Sequence, residues 1–187
     1  MNLKNFLSLA FLCLSFSSAH AQEKSDKKEG AGKQEMLEMA GGKIVAAKPE
    51  AWKTMPKKSD MIQYEFRAPS EGEKSARVTI MSAGGSTESN IERWIGQFDG
   101  GKKEDAKIEK KEVDQTTISI VEIAGTFKES MGGPAAPMKK MENYKMLGAI
   151  LELKDGSKVF IKATGPTDIV TGMREGFVKM LDGIKNK

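Results

Sequence analysis

The stretch YKMLGAILELKDGSKVFIKATGP, residues 144 to 166, decides the fold. Two apolar runs, 146–153 and 158–164, flank the turn KDGS (154–157), and Asp-Gly between apolar runs is a strong hairpin signal. The first run is apolar at both odd and even positions until Glu152. A strand that is apolar on both faces belongs in a sheet that is covered on both sides. The stretch therefore predicts the central hairpin of a layered domain.

Further strands and two helices are predicted around this hairpin. Alternation and turn signals predict strands at 36–39, 43–47, 61–67, 74–83, 107–113 and 116–124. Apolar residues three and four apart predict one helix that contains Ile91, Trp94, Ile95 and Phe98 and ends at Gly100-Gly101, with Ser86 and Ser89 as candidate caps. They also predict a terminal helix opened by Pro166, with the buried stripe Ile169, Val170, Met173, Phe177, Met180 and Leu181. We therefore expect an α+β fold, an antiparallel β-sheet covered by helices.

The beginning of the chain has the pattern of a secretory signal peptide. Lys4 precedes an apolar run at 6–16, and Ala19-His20-Ala21 is a small-residue cleavage site. We expect a signal peptide at 1–21, cleaved after Ala21, a flexible charged leader at 22–35 and a single α+β domain at 36–187. This organisation predicts a periplasmic or extracellular protein with no transmembrane segment after processing.

Composition excludes several function classes once that segment is removed. His20 and Cys13 are the only histidine and cysteine of the chain. The mature chain would therefore lack disulfides, thiol nucleophiles, Cys/His zinc sites and Ser-His-Asp triads. Its charges alternate in sign, as in KKED (102–105) and EKKE (109–112), which is typical of a solvated surface. A nucleic-acid site would need a single-sign basic patch with aromatic residues, so no nucleic-acid partner is expected.

A long loop is predicted before the central hairpin, because GGPAAP (132–137) fits neither a helix nor a central strand. Met131, Met138 and Met141 surround it. Thioether sulfur suits Cu(I), so these methionines are candidate copper ligands. Methionine is also a common residue of adaptable surfaces, and the alternative is a loop at 129–143 that packs or contacts a partner.

Other positions have both a structural and a functional interpretation. Trp94 shares a helical face with apolar residues and is expected in the core, whereas Trp52 is a candidate for a ligand pocket. GGST (84–87) precedes a helix and either binds an anion or caps the helix. The side chains of Glu65, Arg67 and Glu122 are candidates for a charged cluster on one sheet face, with an ordinary surface pair as the alternative.

Three motifs carry a resemblance to known proteins: SNIERWIGQF (89–98), YKMLGAI (144–150) and FIKATGP (160–166). They resemble a family of exported bacterial proteins of uncharacterised function. More distantly, the pattern is similar to the PsbP-like fold, the α/β/α sandwich of the extrinsic photosystem II subunit and of a Ran-binding nuclear factor. The resemblance implies a central antiparallel sheet between helices and an accessory or assembly role. It implies no functional residue, because a histidine-based metal site has no counterpart in the mature chain.

These observations predict a non-enzymatic, exported accessory module that contacts a protein partner or a small ligand through the 129–143 loop. Met131, Met138, Met141 and Trp52 are the candidate contact residues. One alternative is a Cu(I)-binding protein that uses the three methionines, with no other cofactor expected. Another is a hydrolase without a recognisable motif.

Overall fold

The computed structural model of the chain describes residues 34–69, 71–130 and 137–187. Its strands are β1 (Met36–Met39), β2 (Ile44–Ala47), β3 (Lys53–Thr54), β4 (Tyr64–Ala68), β5 (Ala76–Ser82), β6 (Lys107–Val113), β7 (Thr116–Ser130), β8 (Met138–Glu152), β9 (Lys158–Pro166) and β10 (Lys185–Asn186). The helices are α1 (Thr87–Ile95), α2 (Thr167–Gly172) and α3 (Arg174–Asp182), with a 3-10 turn at Lys103–Asp105. Seven strands form an antiparallel sheet in the order β3-β4-β5-β9-β8-β7-β6, and β1-β2-β10 form a small second sheet.

The predicted central hairpin is confirmed as β8 and β9, which lie in the middle of the large sheet. Gly156 has φ +79 in the turn, a conformation that glycine adopts without steric cost. The strands are buried on both faces: Leu147, Ala149 and Leu151 face one core, and Met146 and Ile150 face the other. An antiparallel sheet covered by helices is therefore confirmed.

One face of the sheet is covered by α1. Ser86 caps this helix by accepting a hydrogen bond from the Ser89 backbone N–H at 3.1 Å. Trp94 packs edge-on against Phe160 of β9, with ring centroids 5.9 Å apart. Trp94 also lies directly over Gly148, where a β-carbon would come within 2.5 Å of its ring. The position of α1 on the sheet therefore requires a residue without a β-carbon at position 148.

The opposite face is covered by α2, α3 and the small sheet. Phe177 and Leu181 of α3 are fully buried there. Arg174 ties α3 to the sheet through Glu122 at 2.7 Å and Glu109 at 3.0 Å. Lys145 approaches Glu122 to 2.7 Å from the neighbouring strand. Burial opposes ionisation of Glu122, but the hydrogen bonds from Lys145 and Arg174 outweigh it and lower the pKa of this carboxyl.

Both predicted helices differ in extent from the observed ones. The terminal helix is divided at Met173, next to Gly172, a poor helix former. The first helix ends at Ile95, with Gly96 as its C-cap residue, rather than at Gly100-Gly101.

The predicted 129–143 loop is also wrong for most of its length, since β7 continues to Ser130 and β8 begins at Met138. The ladder between these strands extends past a bulge at Gly125 and Phe127. The segment that follows α1 adds further pairing: the Lys128 N–H donates to the Gln97 carbonyl at 2.7 Å, and the Asp99 N–H donates to the Thr126 carbonyl at 2.8 Å. These bonds supply partners for the β7 backbone immediately before the segment that the sequence pattern assigned to a loop. Residues 131–136 of the predicted loop lie outside the described residues.

Candidate functional site

A cleft of about 940 Å³ opens on the α1 face of the sheet, where the helix leaves β4, β5 and the end of β9 uncovered. One wall is formed by Arg93, near the C-terminal end of α1, and by Gln97, just beyond that end. The far ends of β7 and β8, hereafter the β7–β8 arm (residues 127–130 and 138–144), form another wall. The loop at 55–58 completes the rim. The cleft is thus bordered by the end of α1, the β7–β8 arm and the 55–58 loop, with the large sheet as its floor.

Strand register explains why polar side chains collect on the cleft floor. Residues paired across antiparallel strands point to the same face of a sheet. Thr79 of β5 pairs with Lys162 of β9, and Arg67 of β4 pairs with Arg77 of β5. Lys162 also pairs with Gly148, the residue beneath Trp94. The helix therefore covers the apolar part of this face and ends beside its cationic part.

Lys162 is the central cation of the floor. Its ammonium donates a hydrogen bond to the Gln97 side-chain oxygen at 3.1 Å and lies 6.0 Å from the centroid of the Phe127 ring. Among the described residues, no carboxylate forms an ion pair with it. Burial lowers the pKa of Lys162 to about 8, and the positive charges of Arg77 and Arg93 contribute to the shift. The site therefore holds a cation in surroundings that disfavour its charge.

The floor also contains a buried carboxylate, Glu65, which is 4% exposed. One of its oxygens accepts from Arg77 Nε at 2.7 Å, and the other accepts from the Lys58 backbone N–H at 2.9 Å. Burial opposes its ionisation, but these hydrogen bonds hold the pKa of Glu65 below its ordinary value. Both oxygens are thus engaged, and Glu65 neutralises Arg77 rather than Lys162.

Two buried polar atoms of the cleft lining have no hydrogen-bond partner among the described residues. They are Nε of Arg67 and Oγ1 of Thr164. The guanidinium of Arg67 does bond to the Gly72 carbonyl through another nitrogen. Buried polar atoms are nearly always paired in folded proteins, and unpaired ones call for a water, an ion or a ligand. Because these atoms are themselves buried, they lie beneath the cleft surface, and a bound molecule would not contact them directly.

The β7–β8 arm gives the cleft its apolar wall. The rings of Phe127 and Tyr144 stack with centroids 6.3 Å apart and an interplanar angle of 6°. Phe127 also packs on Phe98 at 5.4 Å, beyond the end of α1. Met138 extends this surface to the rim, where it is 60% exposed. The arm therefore presents aromatic and thioether surface opposite a cationic floor.

The residues that sequence reasoning singled out are dispersed. Trp52 is buried on the other face of the sheet, against Phe66 at 5.4 Å and Phe177 at 6.3 Å, and does not line the cleft. Met138 lines the cleft, whereas Met141 is half-buried against the core beneath α1. Met131 lies outside the described residues.

The described part of the structure contains two of the three candidate copper ligands, Met138 and Met141. Met138 lies at the rim of the cleft and is 60% exposed, whereas Met141 packs against the core beneath α1. In residues 34–69, 71–130 and 137–187, no three histidine, cysteine, aspartate or glutamate side chains gather as a metal site. Cu(I) binding that includes Met131 stays a prediction.

The predicted cluster of Glu65, Arg67 and Glu122 does not form as one group. Glu65 and Arg67 lie on the cleft face, but Glu122 points to the α3 face, where it binds Arg174. The glycine-rich turn before α1 serves as the helix cap, with Asn90 donating to the Gly84 carbonyl at 3.1 Å.

Sequence reasoning missed Lys162, Arg77 and Arg93 as members of one site. The available signal was Lys162 itself, because it interrupts the apolar run VFIKA (159–163) of a strand predicted to be covered on both faces. A lysine at such a position needs either an opening in the cover or a partner.

Comparison with known proteins gives a fold. The structure is similar to the solution structure of cyanobacterial PsbP (CyanoP) from Synechocystis sp. PCC 6803, with a TM-score of 0.52 over 86% of this chain and 96% of that chain. The sequence identity is 11%, so the likeness concerns the fold alone. No family model and no curated protein sequence matches the chain. The predicted PsbP-like α/β/α sandwich is confirmed. Within the described residues, no helix is long and apolar enough to cross a membrane.

Proposed function

We propose that this protein is an exported, non-enzymatic accessory module that binds a small ligand or a segment of a partner protein in the cleft between α1 and the β7–β8 arm. Export rests on the signal-peptide pattern at 1–21. The accessory role is supported by the resemblance to PsbP-like proteins. The binding surface differs from the one expected from sequence, because the 129–143 segment contributes mainly strand residues that wall the cleft.

The observation that carries the proposal is the combination of open volume with polar side chains that rigid elements hold in the cleft. A cleft of about 940 Å³ lies within the size range of ligand sites, about 300 to 1,000 Å³. It joins apolar surface to a few convergent polar groups, which is the usual composition of such sites. Sheet and helix residues hold those groups in place, so little ordering is needed when a ligand enters.

Methionine substitutions at matched exposed positions test this proposal. Met138 and Met61 are 60% and 75% exposed, but only Met138 lines the cleft. We expect the wild-type chain and Met61→Glu to capture the same bound molecules from an envelope extract of the producing cells. Met138→Glu should fail to capture them. The reason is that the added carboxylate removes apolar rim surface and must be desolvated when the cleft fills. Native mass spectrometry and cross-linked capture measure the recovery.

Equal recovery by the three proteins would contradict a binding role for the cleft. A thermal melt of each variant serves as the folding control, because both substitutions are at exposed side chains where stability changes are usually within about 0.5 kcal/mol.

A further inference from the structure

The inner part of the cleft has more positive than negative charge. Arg77, Arg93 and Lys162 line it together with Glu65. Both carboxylate oxygens of Glu65 already accept hydrogen bonds, from Arg77 and from the Lys58 backbone. Arg93 donates to the Asn90 side-chain oxygen at 2.6 Å, a neutral partner. Lys162 and Arg93 therefore lack a carboxylate partner among the described residues, as does Arg67, whose guanidinium bonds to the Gly72 carbonyl.

This arrangement is unfavourable for the empty protein. An ammonium withdrawn from water needs an opposite charge nearby, and here its charged neighbours on β5 and α1 are both guanidiniums. The arm contributes one charge of each sign to the lining, Lys128 and Glu129. A bound anion would supply the missing negative charge and would accept hydrogen bonds from Lys162 and Arg93.

The wall beside Lys162 is apolar. Phe127 lies 6.0 Å from the ammonium, and Tyr144 stacks behind it. A free inorganic anion would leave this surface wet, whereas a ligand with a flat apolar body would cover it.

Resting on the proposed function, we propose that the cleft binds a small organic oxyanion, a carboxylate or phosphate that carries an apolar body. Lys162 and Arg93 hold the oxyanion, and Phe127 and Tyr144 contact the apolar body. A phosphate monoester and an aromatic carboxylate share this chemistry, so both serve as probes.

The test is a titration of the exported chain with phenyl phosphate, benzoate and inorganic phosphate at low ionic strength and pH 7. Isothermal titration calorimetry and amide NMR shifts measure the binding. We expect saturable one-to-one binding of phenyl phosphate or benzoate, tighter than that of inorganic phosphate. Lys162→Met should weaken it about tenfold or more, since it removes a hydrogen bond made by a charged group. Arg93→Met, at an exposed position, should weaken it as well.

The matched control is Lys179→Met, an exposed lysine of α3 on the other side of the sheet, which should bind like the wild type. Absence of saturable binding for all three probes would overturn the inference, as would equal affinities of Lys162→Met and Lys179→Met. The envelope capture separates this inference from the proposed function. If capture depends on Met138 but no oxyanion binds, the cleft is a binding site for a different chemistry, and only the oxyanion inference fails.

Discussion

Gly148→Ala is expected to lower the free energy of unfolding by about 2 to 3 kcal/mol, the cost of overpacking a well-packed core. A β-carbon at this position would lie 2.5 Å from Cζ3 and 2.9 Å from Cε3 of Trp94. Real β-carbons do not approach a ring so closely, so Trp94 must move and α1 must rise from the sheet. Because α1 carries Arg93 and is followed by Gln97 just beyond its end, oxyanion binding should weaken together with stability. Urea denaturation of the variant measures the loss.

Gly176→Ala is the matched control for this substitution. Gly176 lies inside α3, and a β-carbon there meets no atom within 4 Å. Alanine should stabilise the helix by about 0.5 to 1 kcal/mol, the opposite sign. Adding Trp94→Leu to Gly148→Ala should recover part of the loss, because the smaller side chain makes room for the new methyl group. A Gly148→Ala protein as stable as the wild type would show that α1 does not rest on this glycine.

Lys162→Met is expected to raise the free energy of unfolding of the ligand-free protein at pH 7. Burial and two neighbouring guanidiniums lower the pKa of Lys162 from 10.5 to about 8, which corresponds to a penalty of about 3 kcal/mol for the charged form. Methionine has a similar shape without the charge. The same substitution should therefore stabilise the fold and weaken oxyanion binding, as expected when a group is kept for function rather than for stability.

The pH dependence of this difference follows from the direction of the pKa shift. Below about pH 8, Lys162 is charged in both the folded and the unfolded state, and the full penalty is present. Between about pH 8 and 10.5, the unfolded state binds the proton that the folded state has lost, so the wild type gains stability as pH rises. The advantage of Lys162→Met should therefore shrink across this window. Urea denaturation of both proteins at pH 7, 9 and 10 measures the trend.

Subtracting the wild-type curve from the variant curve cancels the titration of the other lysines and tyrosines. Two results would contradict the prediction: Lys162→Met being less stable than the wild type at pH 7, or a stability difference that does not change with pH. Either would show that the charged form of Lys162 does not destabilise the folded protein.

The sequence predicted the central hairpin because its signals are local. The turn at 154–157 and the apolar runs on either side lie within one short stretch, and the period-two pattern fixes which residues face each core. The helix of Trp94 was predicted for the same reason. Its end was misplaced because Gly96 caps it before the apolar pattern finishes at Phe98, which instead pairs with Phe127.

The cleft could not be predicted from sequence, because its members come from distant segments. Lys162 and Gln97 are 65 positions apart, and they meet only because β9 and the end of α1 are neighbours in the fold. The 129–143 segment was assigned to a loop on its glycines and prolines, although β7 and β8 extend into it from both sides. Lys128, just before it, donates its backbone N–H to the Gln97 carbonyl. Composition identifies residues that disfavour a strand. It does not show that a distant segment will supply hydrogen-bond partners to the backbone on either side of those residues.

The most direct test of the cationic cleft is the titration of the Lys162 side chain itself, followed by NMR of the protein labelled with ¹³C at lysine Cε. In the free protein we predict a pKa near 8 for Lys162, because burial and the charges of Arg77 and Arg93 disfavour the ammonium. Saturation with phenyl phosphate should raise this pKa, since the bound anion stabilises the ammonium. A Lys162 pKa near the ordinary lysine value of about 10.4, unchanged by phenyl phosphate, would contradict the account.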